Sequence, residues 1–127
     1  MMPKFEKGLW DEIEHFVPGE FSCRCCGVEK VDRVFLHKLD EAREMAGVRF
    51  KITSGYRCPS HNAAVGSKPT SSHIKGLAAD ISTIGSRHRF LVLAALIAAG
   101  FTRIGVGRDF VHVDYDEGKD QQVAWLY

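Results

Sequence analysis

The sequence predicts an α+β fold, one domain with a small, mostly antiparallel sheet flanked by helices. Three observations predict it. Two stretches carry helical apolar periodicity, at 31–46 and 87–99. Short strand-like runs cluster towards the end, at 102–106, 110–115 and 123–127, without strict alternation with helices. Finally, the length of 127 residues is close to the commonest domain size and shows no repeat, linker or low-complexity tract. A chain of this length buries roughly two-thirds of its unfolded surface and needs no disulfide staple.

Residues 1–30 read as an irregular N-terminal segment, with a short helical turn around Trp10–Phe16 and a turn at Pro18-Gly19. From Val31 to Ala46, apolar residues recur at Val31, Val34, Phe35, Leu39, Ala42 and Met45, and Gly47 closes the helix. Val48, Phe50 and Ile52 alternate with Arg49, Lys51 and Thr53, the pattern of a half-buried strand. Pro59 opens a short helix to Val65, since proline is tolerated in a first turn. A polar loop spans Gly66 to Lys75, and Leu77 to Ile81 reads as a short buried strand. Ser86 is the expected N-cap of a helix over Arg87–Ala99, ended by Gly100. Gly107-Arg108-Asp109 joins the next two strands as a hairpin-like turn, and Val123–Tyr127 is an edge strand.

Composition excludes several function classes. Apolar content of 45% and charged content of 26% are globular values and rule out a disordered chain. The 17 basic and 16 acidic residues leave a net charge of +1, with no basic stripe to meet nucleic acid. The longest apolar stretch, Phe90 to Ala99, is about half of a membrane span. The first ten residues lack the apolar core of a secretory signal, so the expected site of synthesis is a reducing cytoplasm. There, the four cysteines read as thiols or metal ligands before disulfides. The chain is expected to act as a monomer.

Chemistry concentrates in Ser71-Ser72-His73-Ile74-Lys75-Gly76-Leu77-Ala78-Ala79-Asp80 and in Phe110-Val111-His112-Val113-Asp114. A catalytic zinc takes three protein ligands and keeps a fourth position open. His73 lies just before a strand, Asp80 on it, and Gly76 lets the chain turn so that both meet one ion. His112 comes from a neighbouring strand, where alternation puts it on one face with Asp114.

Ser71-x-His73-x-x-Gly76-x-Ala78-x-Asp80 with a downstream His112 resembles the zinc D-Ala-D-Ala carboxypeptidase family. That family includes the D-Ala-D-Ala dipeptidases of vancomycin resistance and phage endolysins that cut L-Ala-D-Glu. It shares its fold with hedgehog signalling domains. Thr53-Ser54-Gly55-Tyr56-Arg57-Cys58-Pro59-x-His61-Asn62, Phe21-Ser22-Cys23 and Phe110-Val111-His112-Val113-Asp114 resemble a short, phage-associated branch. The likeness runs over roughly residues 15 to 116.

The resemblance implies zinc bound by His73, Asp80 and His112, with peptidoglycan stem peptide as the partner. It implies a general base three residues before the last ligand, where Asp109 stands; the plain alternative is a turn residue. Asp114 is the substitute, though beside a zinc histidine it more naturally orients the ring. Arg57 matches a family arginine that binds or polarises substrate, and its guanidinium fork suits a carboxylate. Alternatively, it braces its own loop. Ser71 matches a family serine that bonds substrate backbone, or else caps the loop. The implied reaction is metal-assisted amide hydrolysis, and both a D-Ala-D-Ala and an L-Ala-D-Glu cut fit this spacing. A zinc-containing recognition module of the cell wall or phage particle, without hydrolysis, is the alternative from another class.

His15, His37, His61 and His88 read as structural or solvated. One other grouping carries metal-ligand spacing: Cys23 with Cys26, and Cys58 with His61, the pattern of a structural zinc knuckle. Reduced thiols or a Cys23–Cys58 disulfide are the alternatives.

Overall fold

A computed structural model describes residues 8–127. Residues 1–7, on which part of the N-terminal reading rests, lie outside the described residues. The helical turn expected around Trp10–Phe16 is a short 3-10 turn at Leu9–Glu12, and the turn expected at Pro18-Gly19 is a second one, Pro18–Glu20. Then follow α1 (Arg33–Ala46), β1 (Lys51–Ser54), α2 (Pro59–Ala64), β2 (Ala78–Ser82), α3 (Gly85–Ala98), β3 (Arg103–Val106), β4 (Phe110–Asp114) and β5 (Val123–Leu126).

Helix α1 starts two residues later than its apolar period does, because Asp32 accepts a hydrogen bond from the Phe35 N–H at 3.0 Å and so caps the N-terminus. Phe35, Leu36, Leu39 and Ala42 form its buried stripe. Val34 and Met45, expected in that stripe, are exposed. At about 100° per residue they fall together on its flank, where Leu36 on the other side completes the buried face. Helix α3 also departs from expectation. Ser86 does not cap it; the Ile84 N–H donates to Nδ1 of His88 at 3.1 Å, and the His88 Nε2–H donates to the Arg49 carbonyl at 2.8 Å. No side chain caps the helix N-terminus; the imidazole instead ties the helix start to the chain entering β1.

The five strands lie in the order β1-β2-β4-β3-β5. All neighbours are antiparallel except β5, which runs parallel to β3 along the edge. Alternation gives the sheet two unlike faces. Ile52, Ala79, Ile81, Val111, Val113 and Ile104 enter the core together with Phe35, Leu36 and Leu39 of α1 and Val92 and Leu96 of α3. The opposite face carries the polar residues. In register across it stand Asp80 on β2, His112 on β4 and Gly105 on β3. Helices α1 and α3 thus form one layer and leave the other face of the sheet open as a platform.

Candidate active site

His112 and Asp80 meet because β2 and β4 pair directly at those two positions. His73 comes from the loop ahead of β2, and two features fix that loop. Gly76 has φ 72, the left-handed region, and a Cβ there would run into the Lys30 carbonyl oxygen, so only glycine fits both conformation and space. On the other side, Ser72 Oγ donates to Oδ2 of buried Asp116 at 2.7 Å, and Lys75 Nζ approaches the same oxygen at 3.0 Å. The loop is held from both ends.

The donor atoms of His73, Asp80 and His112 all lie within 4.8 Å of one another. Nδ1 of His73 donates to the Gly55 carbonyl at 2.7 Å, and a carbonyl can only accept. The proton is therefore on Nδ1, and Nε2 is left with a lone pair directed at Asp80 Oδ1, 3.4 Å away. That Nε2 is buried and lacks a hydrogen-bond partner among the described residues. An unpaired buried acceptor costs about 1–3 kcal/mol, which a cation between these groups would offset. His112 presents Nδ1 to Asp80 Oδ1 at 2.9 Å, while its Nε2–H donates to Asp114 Oδ2 at 2.8 Å. Asp114 is itself fixed by the Nε–H of Arg103 at 2.7 Å.

Burial alone would raise the Asp80 carboxyl, but the hydrogen bond to His112 and the nearness of His73 outweigh it and hold Asp80 well below the usual carboxylate range. Burial would lower His112, yet Asp114 and Asp80 on its two sides raise it. An ionised carboxylate and two imidazoles, one with a lone pair already free, are a donor set that suits zinc.

The remaining expected residues lie around this centre. Arg57 bonds Ser54 Oγ at 3.2 Å and Asn62 Oδ1 at 3.4 Å, and its Nη2 stands 3.9 Å from Asp80 Oδ2. It thus braces its own loop and faces the ligand cluster at once. Ser71 Oγ accepts from the His73 N–H at 3.2 Å, a loop-capping contact, and lines the cleft. Asp109 sits in the β3–β4 turn, its carbonyl accepting from the Thr83 N–H at 2.9 Å. It is exposed and lines a second depression with Thr53, Asp80, Ser82 and Phe110. The cysteine grouping needs a correction. The four that converge are Cys23, Cys25, Cys26 and Cys58; His61 is not among them and offers only its backbone N–H, to Cys58 Sγ. Helix α2 starts at Pro59, and the Cys58 N-cap takes that N–H.

Sequence reasoning missed one wall of the cleft. Trp125 and Tyr127 lie over His112, with ring centroids 5.6 and 6.5 Å away, and Arg103 stacks on Trp125. They reach it across Gly105, where a Cβ would come within 2.6 Å of both aromatic rings. The two-residue spacing of Trp125 and Tyr127 was visible in the edge strand; its pairing with β3 was not.

The model of the Peptidase M15 family matches residues 14–114. The comparison with curated proteins gave no match. The matched span contains the three converging residues that could hold a metal ion, the turn before β4 and the loop carrying Arg57, and enzymes of this family depend on zinc. The chain belongs to the Peptidase M15 family and is a zinc metallopeptidase acting on peptidoglycan.

Proposed function

We propose that the chain is an endopeptidase that hydrolyses an amide bond within the peptidoglycan stem peptide, of the L-Ala-D-Glu kind, and serves as a phage or prophage lysin. The shape of the cleft carries this reading. Two depressions, of about 320 and 410 Å³, are both lined by Asp80 and Phe110, an arrangement suited to a peptide that extends past the metal donors on both sides. A D-Ala-D-Ala carboxypeptidase instead needs a cation free to take the terminal carboxylate. Arg57, beside the ligands, already has Ser54, Asn62 and Asp80 around it. The likeness of residues 53–62 and 110–114 to the phage-associated branch supports the lysin role. On this reading the protein is made in the cytoplasm and meets the wall on release at lysis.

His73 Nε2, Asp80 and His112 Nδ1 would hold the zinc, which when bound supplies Lewis acidity to the scissile carbonyl and to water. Asp109 takes the proton of the attacking water and passes it to the leaving amine. It is the carboxylate suited to this, because Asp114 is saturated by His112, Arg103 and the Asp116 N–H. No side-chain hydrogen bond engages Asp109 among the described residues, and it shares its depression with Asp80. Arg57 donates to the oxygen on which negative charge develops. Ser71 keeps its O–H free for substrate backbone while accepting from His73. A recognition module would have no use for a free carboxylate at this place.

Digestion of purified peptidoglycan, with mass spectrometry of the new termini, tests the reading. New amino termini on D-Glu support it; release of free D-Ala overturns it in favour of the carboxypeptidase.

A further inference from the structure

Away from the cleft, a second group of metal donors converges. The Sγ atoms of Cys23, Cys25, Cys26 and Cys58 all lie within 4.8 Å of one another, and none of the four is in a disulfide. Cys25 Sγ and Cys58 Sγ are 3.8 Å apart. Four sulfurs placed tetrahedrally at the zinc–thiolate length of ~2.3 Å are about 3.8 Å from each other. That is far longer than a disulfide bond of ~2.05 Å.

The backbone is arranged around the sulfurs as well. The Cys58 N–H donates to Cys23 Sγ and the His61 N–H to Cys58 Sγ, each at 3.4 Å. Such donors favour thiolate over thiol. The Cys23 N–H bonds the Val28 carbonyl and the Gly27 N–H bonds the Cys23 carbonyl, both at 2.8 Å. These bonds fold residues 23–28 into a tight knuckle that turns three sulfurs towards Cys58. Cys25 and Cys26 are exposed, which leaves a path for an ion.

We propose that Cys23, Cys25, Cys26 and Cys58 form a second zinc site, closed and structural, that clamps the N-terminal segment onto the loop behind His73. Four thiolates fill the tetrahedron, so no position remains for water or substrate, and the site takes no part in hydrolysis. Binding releases the thiol protons and links two segments that have little other covalent or helical support. What the clamp holds is specific. The Tyr56 N–H bonds the Phe21 carbonyl at 2.9 Å, the Arg57 N–H bonds the His73 carbonyl at 3.2 Å, and the Gly55 carbonyl receives Nδ1 of His73. Residues 55–58 thus sit between the knuckle and the catalytic loop.

Metal content and zinc-edge X-ray absorption of the whole chain, purified under reducing conditions without added metal, test this. The wild type should carry two zinc ions, and His73→Ala/His112→Ala should keep one, its shell made of four sulfurs at ~2.3 Å. Cys25→Ser/Cys58→Ser should keep one ion with no sulfur around it, and amide exchange at Tyr56 and Arg57 should quicken. A histidine double variant holding less than a tenth of an equivalent overturns the proposal. So does a wild-type spectrum without sulfur, which decides the matter even where a variant fails to fold. A Cys–Cys pair found in the wild type purified in this way overturns it too.

Discussion

The imidazole of His73 donates from Nδ1 to the Gly55 carbonyl at 2.7 Å, and that bond selects the nitrogen that faces Asp80. The consequence is measurable. Long-range nitrogen–proton correlation spectra of the zinc-loaded protein should show His73 as the Nδ1–H tautomer with Nε2 ligated. His73→Ala should lose the cleft zinc outright, because two remaining ligands do not hold the ion against a chelator. Ligation through Nδ1 would contradict the geometry.

Asp114 and Asp109 are separated by function, and two substitutions tell them apart. Asp114 holds the Nε2–H of His112, so Asp114→Asn should weaken zinc binding ~10–100-fold, as expected when the partner of a zinc histidine is lost. Asp109→Ala should leave zinc and fold intact and lower turnover by ~10²–10⁴, the usual contribution of a general base. Zinc affinity by competitive chelation and kcat on stem peptide are the two readings. Near wild-type turnover of Asp109→Ala would move the base elsewhere.

What the sequence disclosed divides along local and non-local lines. The strand alternation that puts His112 and Asp114 on one face is local, and so is the Gly76 turn between His73 and Asp80; both were legible. The β2–β4 register that sets Asp80 opposite His112 is non-local; the sequence reading placed His112 on a neighbouring strand and went no further. Trp125 was out of reach because it depends on β5 lying parallel to β3 beside Gly105, a pairing across the sheet edge. His61 was misassigned because Cys-x-x-His spacing reads as ligand spacing. In the folded chain those residues begin a helix, and Cys25 fills the fourth corner. Ser86 failed as a cap because the helix already starts at Gly85, which puts Ser86 inside its first turn.

Asp116 gives a pH signature of stability. Burial would raise its carboxyl, but Ser72, Lys75 and the Gly118 N–H lower it below its usual value. A carboxylate depressed in the folded state contributes stability above its unfolded pKa of ~3.9, and this is lost as pH falls through the folded value. Asp116→Asn should therefore destabilise the protein by ~1.5–3 kcal/mol at neutral pH, the worth of hydrogen bonds to a buried charge. The gap to wild type should narrow progressively below pH ~4. Urea denaturation at pH 7 and pH 3 checks it; a gap that is constant with pH would show the carboxylate charge to be irrelevant.

Arg57 separates the substrate types. If its guanidinium bound a terminal carboxylate, amidating the C-terminus of a stem peptide would remove a charge-assisted pair worth roughly 1.5–3 kcal/mol, about ten- to a hundredfold in kcat/KM. The structure leaves it poorly placed for that. Ser54 and Asn62 already take two of its donors, and its Nη2 is directed at Asp80 from 3.9 Å. A donor so anchored beside the ligands is suited to a carbonyl oxygen of the main chain, where one directed N–H suffices. Free and amidated stem peptides should therefore be cut at rates within a factor of about two, against the tenfold or more that loss of the pair would bring. Arg57→Lys should still lower kcat for both peptides equally, since a point charge cannot keep the bonds to Ser54 and Asn62 and face Asp80 as well. A free-to-amidated ratio above ten would overturn the endopeptidase reading and make Arg57 the anchor of a carboxypeptidase.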